Sequence, residues 1–261
     1  MDISKTLKKF GLEQAFHYLY KDPDTNMLKL MDWADKFAGD EFIPQRKLVR
    51  EAMTDPNHPY YPFIHRIIND IDPHVMQTTA VNFFINAALA GWPKQEANRE
   101  KYQCNIPWTI LLDPTSACNL HCTGCWAAEY GNKLNLTYDE IDNIISQGKE
   151  LGIYMYIYTG GEPLVRKDDL MRLCKKHSDC VFLCFTNATL IDEAFADQML
   201  EVGNFVPAIS LEGFEDATDG RRGEGVYQKV IHAIELLHRK KLIYGISACY
   251  TSANFDSITS E

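Results

Sequence analysis

The stretch Trp108-Thr-Ile-Leu-Leu-Asp-Pro-Thr-Ser-Ala-Cys118-Asn-Leu-His-Cys122-Thr-Gly-Cys125 runs an apolar, strand-like segment into three cysteines crowded within eight residues. Cysteines this close would be strained as disulfides with one another, whereas a loop of this length can wrap a metal centre. Three thiolates are one short of a structural zinc site. Two readings therefore stay open at this point. Zinc would recruit His121 as a fourth ligand in a small Cys3His knuckle. An iron–sulfur cluster would have three irons held by cysteine and one left open for chemistry. The other five cysteines, Cys104, Cys174, Cys180, Cys184 and Cys249, read as structural. Cys184 lies in the apolar run Val181-Phe-Leu-Cys-Phe185 and Cys249 in another, so both are expected to be buried small hydrophobes. Cys174 and Cys180 flank His177 and are expected to pack at a helix end.

Downstream of the cysteines, strand and helix patterns alternate. Thr137-Tyr-Asp-Glu140 is a capping box, opening a helix with Ile141, Ile144, Ile145 and Leu151 on one face and a stop near Gly152. Tyr154 to Tyr158 reads as a second strand, ending in Thr159-Gly160-Gly161-Glu162-Pro163. A helix from about Lys167 to His177 leads to a third strand, Val181 to Phe185, ending at Thr186-Asn187. After a helix over Asp192–Val202, the fourth strand, Phe205 to Leu211, ends in Ser210-Leu-Glu212-Gly213. Val226 to Lys240 forms a long amphipathic helix, and Ile243 to Tyr250 the fifth strand. Strands separated by helices imply parallel βα units with right-handed crossovers, in an α/β fold. Periodicity alone admits either a barrel-like or an open doubly wound sheet. The polar motifs each follow the C-terminal end of a different strand, the edge where parallel α/β folds bind ligands. They are expected to form one site.

Residues 1–103 have a different character: an α-helical accessory region, with helical patterns around Leu7–Leu19, Asn26–Phe37, Pro44–Met53, Pro62–Ile71 and His74–Leu89. The polar stretch Trp92 to Lys101 reads as a linker, and a second domain is expected over 104–261. The chain has 261 residues, 46% of them apolar or aromatic, enough for a sizeable core and too apolar for disorder. A formal net charge of −10 argues against a nucleic-acid partner. Met1–Lys9 is charged and has no apolar stretch behind it, unlike a secretory signal. The longest apolar run, Val75–Gly91, is interrupted by Gln77, Thr78, Thr79, Asn82 and Asn86. No transmembrane segment is expected, and the expected location is cytoplasmic.

Cys118-x3-Cys122-x2-Cys125 after one strand, with Gly160-Gly161-Glu162-Pro163 after the next, resembles the radical S-adenosylmethionine (SAM) superfamily. Asn187 after the third strand, Ser210-Leu-Glu-Gly213 after the fourth and the following Arg221-Arg222-Gly223 are similar to its cofactor- and peptide-modifying branches. The resemblance spans roughly residues 106–255. It implies a partial parallel (βα)6-type barrel and an enzyme that cleaves SAM reductively, giving a 5′-deoxyadenosyl radical that abstracts hydrogen from an unidentified substrate. By the resemblance, Cys118, Cys122 and Cys125 hold a [4Fe–4S] cluster. Gly160 and Gly161 let backbone carbonyls approach the methionyl ammonium, Glu162 adds a carboxylate acceptor, and Asn187, Ser210 and Arg222 serve the SAM ribose or carboxylate. The implied partners are an electron donor such as a flavodoxin or ferredoxin, and a substrate among peptides, lipids or cofactor precursors. The alternative from another class is a non-catalytic iron–sulfur or zinc binding module.

Two departures from the family pattern stand out. Glu212 occupies a position where relatives commonly have Asp. Gly124 precedes the third cysteine where many relatives carry an adenine-packing aromatic, and Trp126 follows instead. Most tyrosines of the second strand are expected to be packing residues. The family's core usually has six βα units, and this chain stops soon after the fifth strand, at Asp256-Ser-Ile-Thr-Ser-Glu261. It is therefore expected to be part of a longer enzyme.

Overall fold

The computed structural model describes Gly11 and residues 14–37, 43–131 and 133–260. The start of the expected Leu7–Leu19 helix and the Met1–Lys9 segment lie outside these residues. The chain divides into two compact units, 1–77 and 78–261. The first is helical: α1 (Pro23–Phe37), α2 (Ile43–Thr54) and α3 (Tyr61–Asp70), followed by α4 (Pro73–Ala80), which crosses into the second. Arg50 of α2 bridges Asp32 and Asp35 of α1 at 2.8 and 2.9 Å. Leu19, Met31, Ala52, Met53 and Ile68 are buried.

The boundary falls at 77/78 rather than at the expected 103/104, because residues 78–103 pack with the sheet. Val81–Gly91 is a π-helix, and Trp92–Tyr102, read from sequence as a linker, is helix α5. The polarity that suggested a linker serves hydrogen bonding. Lys94 Nζ donates to Lys149 O (2.7 Å), buried Gln95 Nε2 to Gly152 O (2.9 Å), and Asn98 Nδ2 to Leu151 O (3.3 Å). These are carbonyls at the C-terminal end of the capping-box helix and its cap, where intrahelical bonding runs out. Asn82 likewise donates to Ser178 O and Cys180 O at 2.9 and 2.8 Å. The polar interruptions of the Val75–Gly91 run thus anchor it to the loop before the third strand.

The sheet has five parallel strands in the order β1 (Thr109–Thr115), β2 (Met155–Gly160), β3 (Val181–Thr186), β4 (Phe205–Ser210) and β5 (Gly245–Ser247). This sequential order settles the topology left open by periodicity. A doubly wound sheet reverses direction at a switch point. Strictly sequential parallel strands with right-handed crossovers put every helix on one face and leave the other concave, as in a barrel wall. The connecting helices are α6 (Tyr138–Leu151), α7 (Lys167–Lys176), α8 (Glu193–Val202), then α9 (Glu215–Arg222) with α10 (Val226–Arg239). Helix α9 is additional to the sequence expectation, as is the short α11 (Phe255–Thr259). The capping box forms as read: Thr137 Oγ1 accepts from Glu140 N, Glu140 Oε2 accepts from Thr137 N, and Gly152 closes α6 in the left-handed region at φ 97°.

The helix-facing surface carries the core. Tyr156, Tyr158, Phe182 and Phe205 are buried, and Tyr158 stacks on Phe182 with ring centroids 5.4 Å apart. Tyr156 and Tyr158 are packing residues, as expected, each burying surface worth about 2–3 kcal/mol. On the concave face, register aligns Leu111, Ile157, Leu183 and Val206 in one apolar row. Leu111 is 58% exposed there. Three of the five cysteines read as structural, Cys174, Cys180 and Cys184, are buried. Cys249, expected to be buried, is exposed, as is Cys104. β5 spans three residues rather than the expected Ile243–Tyr250, so Cys249 has already left the sheet. No helix among the described residues is long and apolar enough to cross a membrane.

Candidate active site

β1 passes Leu112, paired with Tyr158, and resumes at Thr115, paired with Gly160. Asp113 and Pro114 therefore form a bulge, which tolerates a proline because no ladder N–H is needed there. The Pro114 carbonyl accepts from Leu136 N (3.1 Å) and Arg166 Nη1 (2.9 Å). The turn after β2 closes onto the start of the cysteine loop: Gly161 N donates to Thr115 O at 3.0 Å, and Glu162 N to Ala117 O at 2.8 Å. A Cβ on Gly161 would lie 2.2 Å from the Ala117 carbonyl oxygen, and one on Gly160 2.7 Å from that of Thr115. Both glycines are thus already required by the chain's own backbone.

Cys118, Cys122 and Cys125 are free, half-buried thiols on this loop. Burial pushes the Cys118 and Cys122 thiols up; nearby Arg222 opposes the rise at Cys122. Leu120 N reaches Cys118 Sγ at 3.5 Å, and Arg222 Nη1 reaches Cys122 Sγ at 4.0 Å. Such N–H contacts to sulfur stabilise the thiolate form that an iron ligand requires. The donor set fits a cluster: three sulfurs on one loop supply three ligands and leave a fourth position to another molecule. His121 is exposed. Among the described residues, no group of three or more His, Cys, Asp and Glu is gathered about a single metal position, the three cysteines included. Gly124 has φ +71° with open space around its missing Cβ, so backbone conformation rather than crowding selects glycine there. Trp126 is exposed and meets Tyr130 edge to face at 5.7 Å.

Glu162 is only 1% exposed, and its carboxylate is occupied within the chain. Oε1 accepts from Thr186 Oγ1 (2.7 Å) and Leu164 N (2.9 Å), while Oε2 accepts from Asn187 N (2.7 Å). Burial raises its pKa, against the lowering effect of these donors. In this arrangement the carboxylate ties β2 to β3. Asn187 is also engaged, its Nδ2 donating to Asn119 Oδ1 at 2.9 Å and its Oδ1 accepting from Thr189 Oγ1 at 2.7 Å. It braces the cysteine loop from the end of β3.

Glu212, buried beyond β4, pairs with both Arg221 and Arg222. Arg222 Nε and Nη2 lie 3.0 and 2.5 Å from Glu212 Oε1, while Oε2 accepts from Cys249 N at 2.9 Å. Arg221 O accepts from Thr123 N at 2.8 Å, docking α9 on the cysteine loop. Arg222 thus spans Glu212 and Cys122. Ser210 is half-buried at the end of β4, level with Ser247 of β5, and among the described residues its hydroxyl has no hydrogen-bond partner.

A cavity of about 580 Å³ opens beside the glycine turn, its walls including Asp113, Trp126, Tyr130, Leu134, Gly160 and Gly161. Partial burial raises the Asp113 carboxyl. Sequence reading passed over Asp113 and Asn119. A lone acid in an apolar strand and an asparagine beside the first cysteine were the available signals.

The model of the Radical SAM superfamily matches residues 112–252. An AdoMet-dependent heme synthase from Methanosarcina barkeri is 27% identical over 161 residues, covering 59% of this chain and 46% of the relative. A PqqA peptide cyclase from Bradyrhizobium diazoefficiens is 31% identical over 153 residues, covering 57% of this chain and 37% of the relative. This chain spans less than half the length of each. The fold matches a crystal structure of Streptococcus suis SuiB bound to precursor peptide SuiA, with TM-score 0.54 and 21% identity over 72% of this chain and 40% of that one. The family match runs from within β1 through every rim motif to beyond β5, more than half of the chain, and the chain belongs to the radical SAM superfamily.

Proposed function

We propose that Cys118, Cys122 and Cys125 hold a [4Fe–4S] cluster, that SAM binds at the adjoining rim beside Gly160 and Gly161, and that this chain is the radical-generating part of an enzyme. The observation that supports it most is the direct bonding of the Gly160–Glu162 turn to the backbone leading into the three free cysteines. When bound, the cluster and SAM supply reductive cleavage of the sulfonium C–S bond and a 5′-deoxyadenosyl radical that abstracts hydrogen. The chain's own residues position and protect. The three thiolates would hold the cluster and would leave one iron open to SAM. Arg222, held by Glu212, sets a positive charge and an N–H donor against one ligand sulfur, which favours the reduced state. Asn187 and Asn119 restrain the loop from the β3 side. The apolar concave row from Leu111 to Val206 suits the hydrocarbon portion of a substrate and shields a radical from water.

The relatives named above act on different molecules by name, a heme precursor and a peptide, and we infer for this chain only a substrate with an unreactive C–H bond. Anaerobic reconstitution should give the broad visible absorption of a [4Fe–4S] cluster, and dithionite with SAM should release 5′-deoxyadenosine. Replacing any one of the three cysteines by alanine should abolish both. A fully assembled cluster that never cleaves SAM would overturn the catalytic reading; stoichiometric zinc retained through dialysis would favour the binding-module alternative.

A further inference from the structure

We propose that Asn254 is a positioning residue: its carboxamide fixes how Glu212 presents its carboxylate, and so holds the Arg222 guanidinium against Cys122. This rests on the reading above and adds to it a control on the cluster's reduction potential, located in the segment after β5.

Asn254 is buried, 6% exposed, and its side chain uses both donors and both acceptor positions. Oδ1 accepts from Thr251 N (2.7 Å) and Thr251 Oγ1 (3.0 Å), closing the turn after Tyr250. Nδ2 donates to Glu212 O (3.2 Å) and to Cys249 O (3.0 Å). One amide group therefore ties the main chain of Glu212 to that of Cys249. Cys249 is the residue whose own N–H holds Glu212 Oε2 at 2.9 Å. Glu212 N donates to Thr218 Oγ1 at 3.3 Å, so the Glu212 backbone is gripped on both sides by side chains.

This grip decides which carboxylate oxygen is left for the arginines. With Oε2 on the Cys249 amide, Arg221 Nη1, Arg222 Nε and Arg222 Nη2 all converge on Oε1. A carboxylate with both oxygens available takes a guanidinium two on two. Here Arg222 is held by its Nε–Nη2 edge on a single oxygen, and Nη1 faces Cys122 Sγ at 4.0 Å. Without the Asn254 donors, the Cys249 amide is no longer registered on Oε2 and the carboxylate turns to offer both oxygens. Arg222 follows it, and Nη1 leaves the sulfur. A positive charge and an N–H beside a ligand sulfur favour the electron-rich reduced cluster, so their withdrawal makes reduction harder.

The test is a redox titration of the reconstituted chain without SAM, read by electron paramagnetic resonance of the reduced cluster. The ratio of reduced to oxidised cluster belongs to assembled chains alone, so the fraction that folds does not enter it. At the wild-type midpoint, Asn254→Ala should lower that ratio at least threefold, about 28 mV for a one-electron couple. Arg222→Met should lower it as well, and Asn254→Ala should add nothing in that background. Asn82→Ala removes comparable carbonyl bonds at the opposite end of the sheet and should leave the ratio unchanged. If Asn254→Ala yields no folded chain, Asn254→Asp keeps the Thr251 bonds and loses both donors. Its effect should then be at least threefold larger in the wild-type than in the Arg222→Met background, a difference that cancels its own charge. Smaller shifts, an equal shift with Asn82→Ala, or a shift that persists without Arg222 would overturn the positioning role and leave the radical SAM reading intact. A wild-type chain that assembles no cluster on its three cysteines would instead overturn both.

Discussion

Glu162 and Glu212 are buried carboxylates at the same rim of the sheet, one joining β2 to β3, the other joining β4 to the segment after β5. Glu162 is satisfied by neutral donors, a threonine hydroxyl and two backbone amides. Glu212 is satisfied by two guanidiniums and one amide. The difference divides the rim electrostatically. Around Glu162 no fixed cation is bonded to the acid. Around Glu212 two positive charges meet one negative charge, leaving a net positive charge beside Cys122. Both devices solve the problem of a buried acid, but only the second directs charge at the cysteine loop.

The sharpest way to break this contrast is Glu212→Ala. It leaves two guanidiniums facing each other without their anion and frees the amide of Cys249. Removing one member of a buried ion pair costs roughly 3–5 kcal/mol, and the partial exposure of Arg221 moves the expectation to the lower end, about 3 kcal/mol. Urea unfolding of the apo chain measures it. A loss below about 1 kcal/mol would show that water solvates the arginines as well as Glu212 does, and would remove the energetic distinction.

How these acids were legible differs as well. The strand–helix alternation through β4, the capping box at Thr137 and the cysteine triplet all rest on local spacing, and each is found where the sequence places it. Glu162 was identified by its motif, yet its bonding was not readable, because the partners Thr186 and Asn187 come from the next strand. Glu212 was visible as part of the motif after the fourth strand and as a departure from the family pattern; its role depends on how helix α9 folds back, and that helix carries no apolar stripe strong enough to announce it. The α5 segment failed for a related reason. Gln95 and Asn98 are polar because they cap a distant helix end, and hydropathy cannot tell that from solvation. Asp113 needed the bulge, which is a property of two strands in register.

A gentler perturbation is Glu162→Gln. The amide oxygen can keep the bonds from Thr186 and Leu164, but an amide nitrogen then faces the N–H of Asn187, leaving two donors opposed. The expected loss is about 1–2 kcal/mol. The pH dependence carries more information. Burial holds the folded carboxyl above its ordinary pKa, so the native state binds this proton more tightly than the unfolded chain does. Its stabilising contribution is full below the ordinary Glu range. It declines as pH rises through the window from that range to the raised value. The variant lacks the titration, so wild type should lose ground to E162Q across that window and the difference should be constant outside it. A difference that stays flat from acid to neutral pH would mean that Glu162 titrates alike folded and unfolded.

The smallest effect is expected at Asn119, where the two halves of the rim secure the cysteine loop by different means. On the Glu162 side the tether is made of side chains: Asn187 Nδ2 donates to Asn119 Oδ1 at 2.9 Å, and Asn119 Nδ2 to Thr189 Oγ1 at 2.8 Å. On the Glu212 side it is main chain, Thr123 N to Arg221 O at 2.8 Å, beyond the reach of a side-chain substitution. Asn119→Ala should therefore release one end of the loop only. Because Asn119 is solvent-exposed, the stability cost should be about 0.5–1 kcal/mol. Hydrogen exchange on the apo variant resolves what a melting curve cannot. The Leu120 amide, which contacts Cys118 Sγ at 3.5 Å, should exchange faster while the Thr123 amide keeps its protection. Equal acceleration at both amides would mean that the loop opens as one body, with the Asn119 bracket controlling the Glu212 side as well as its own.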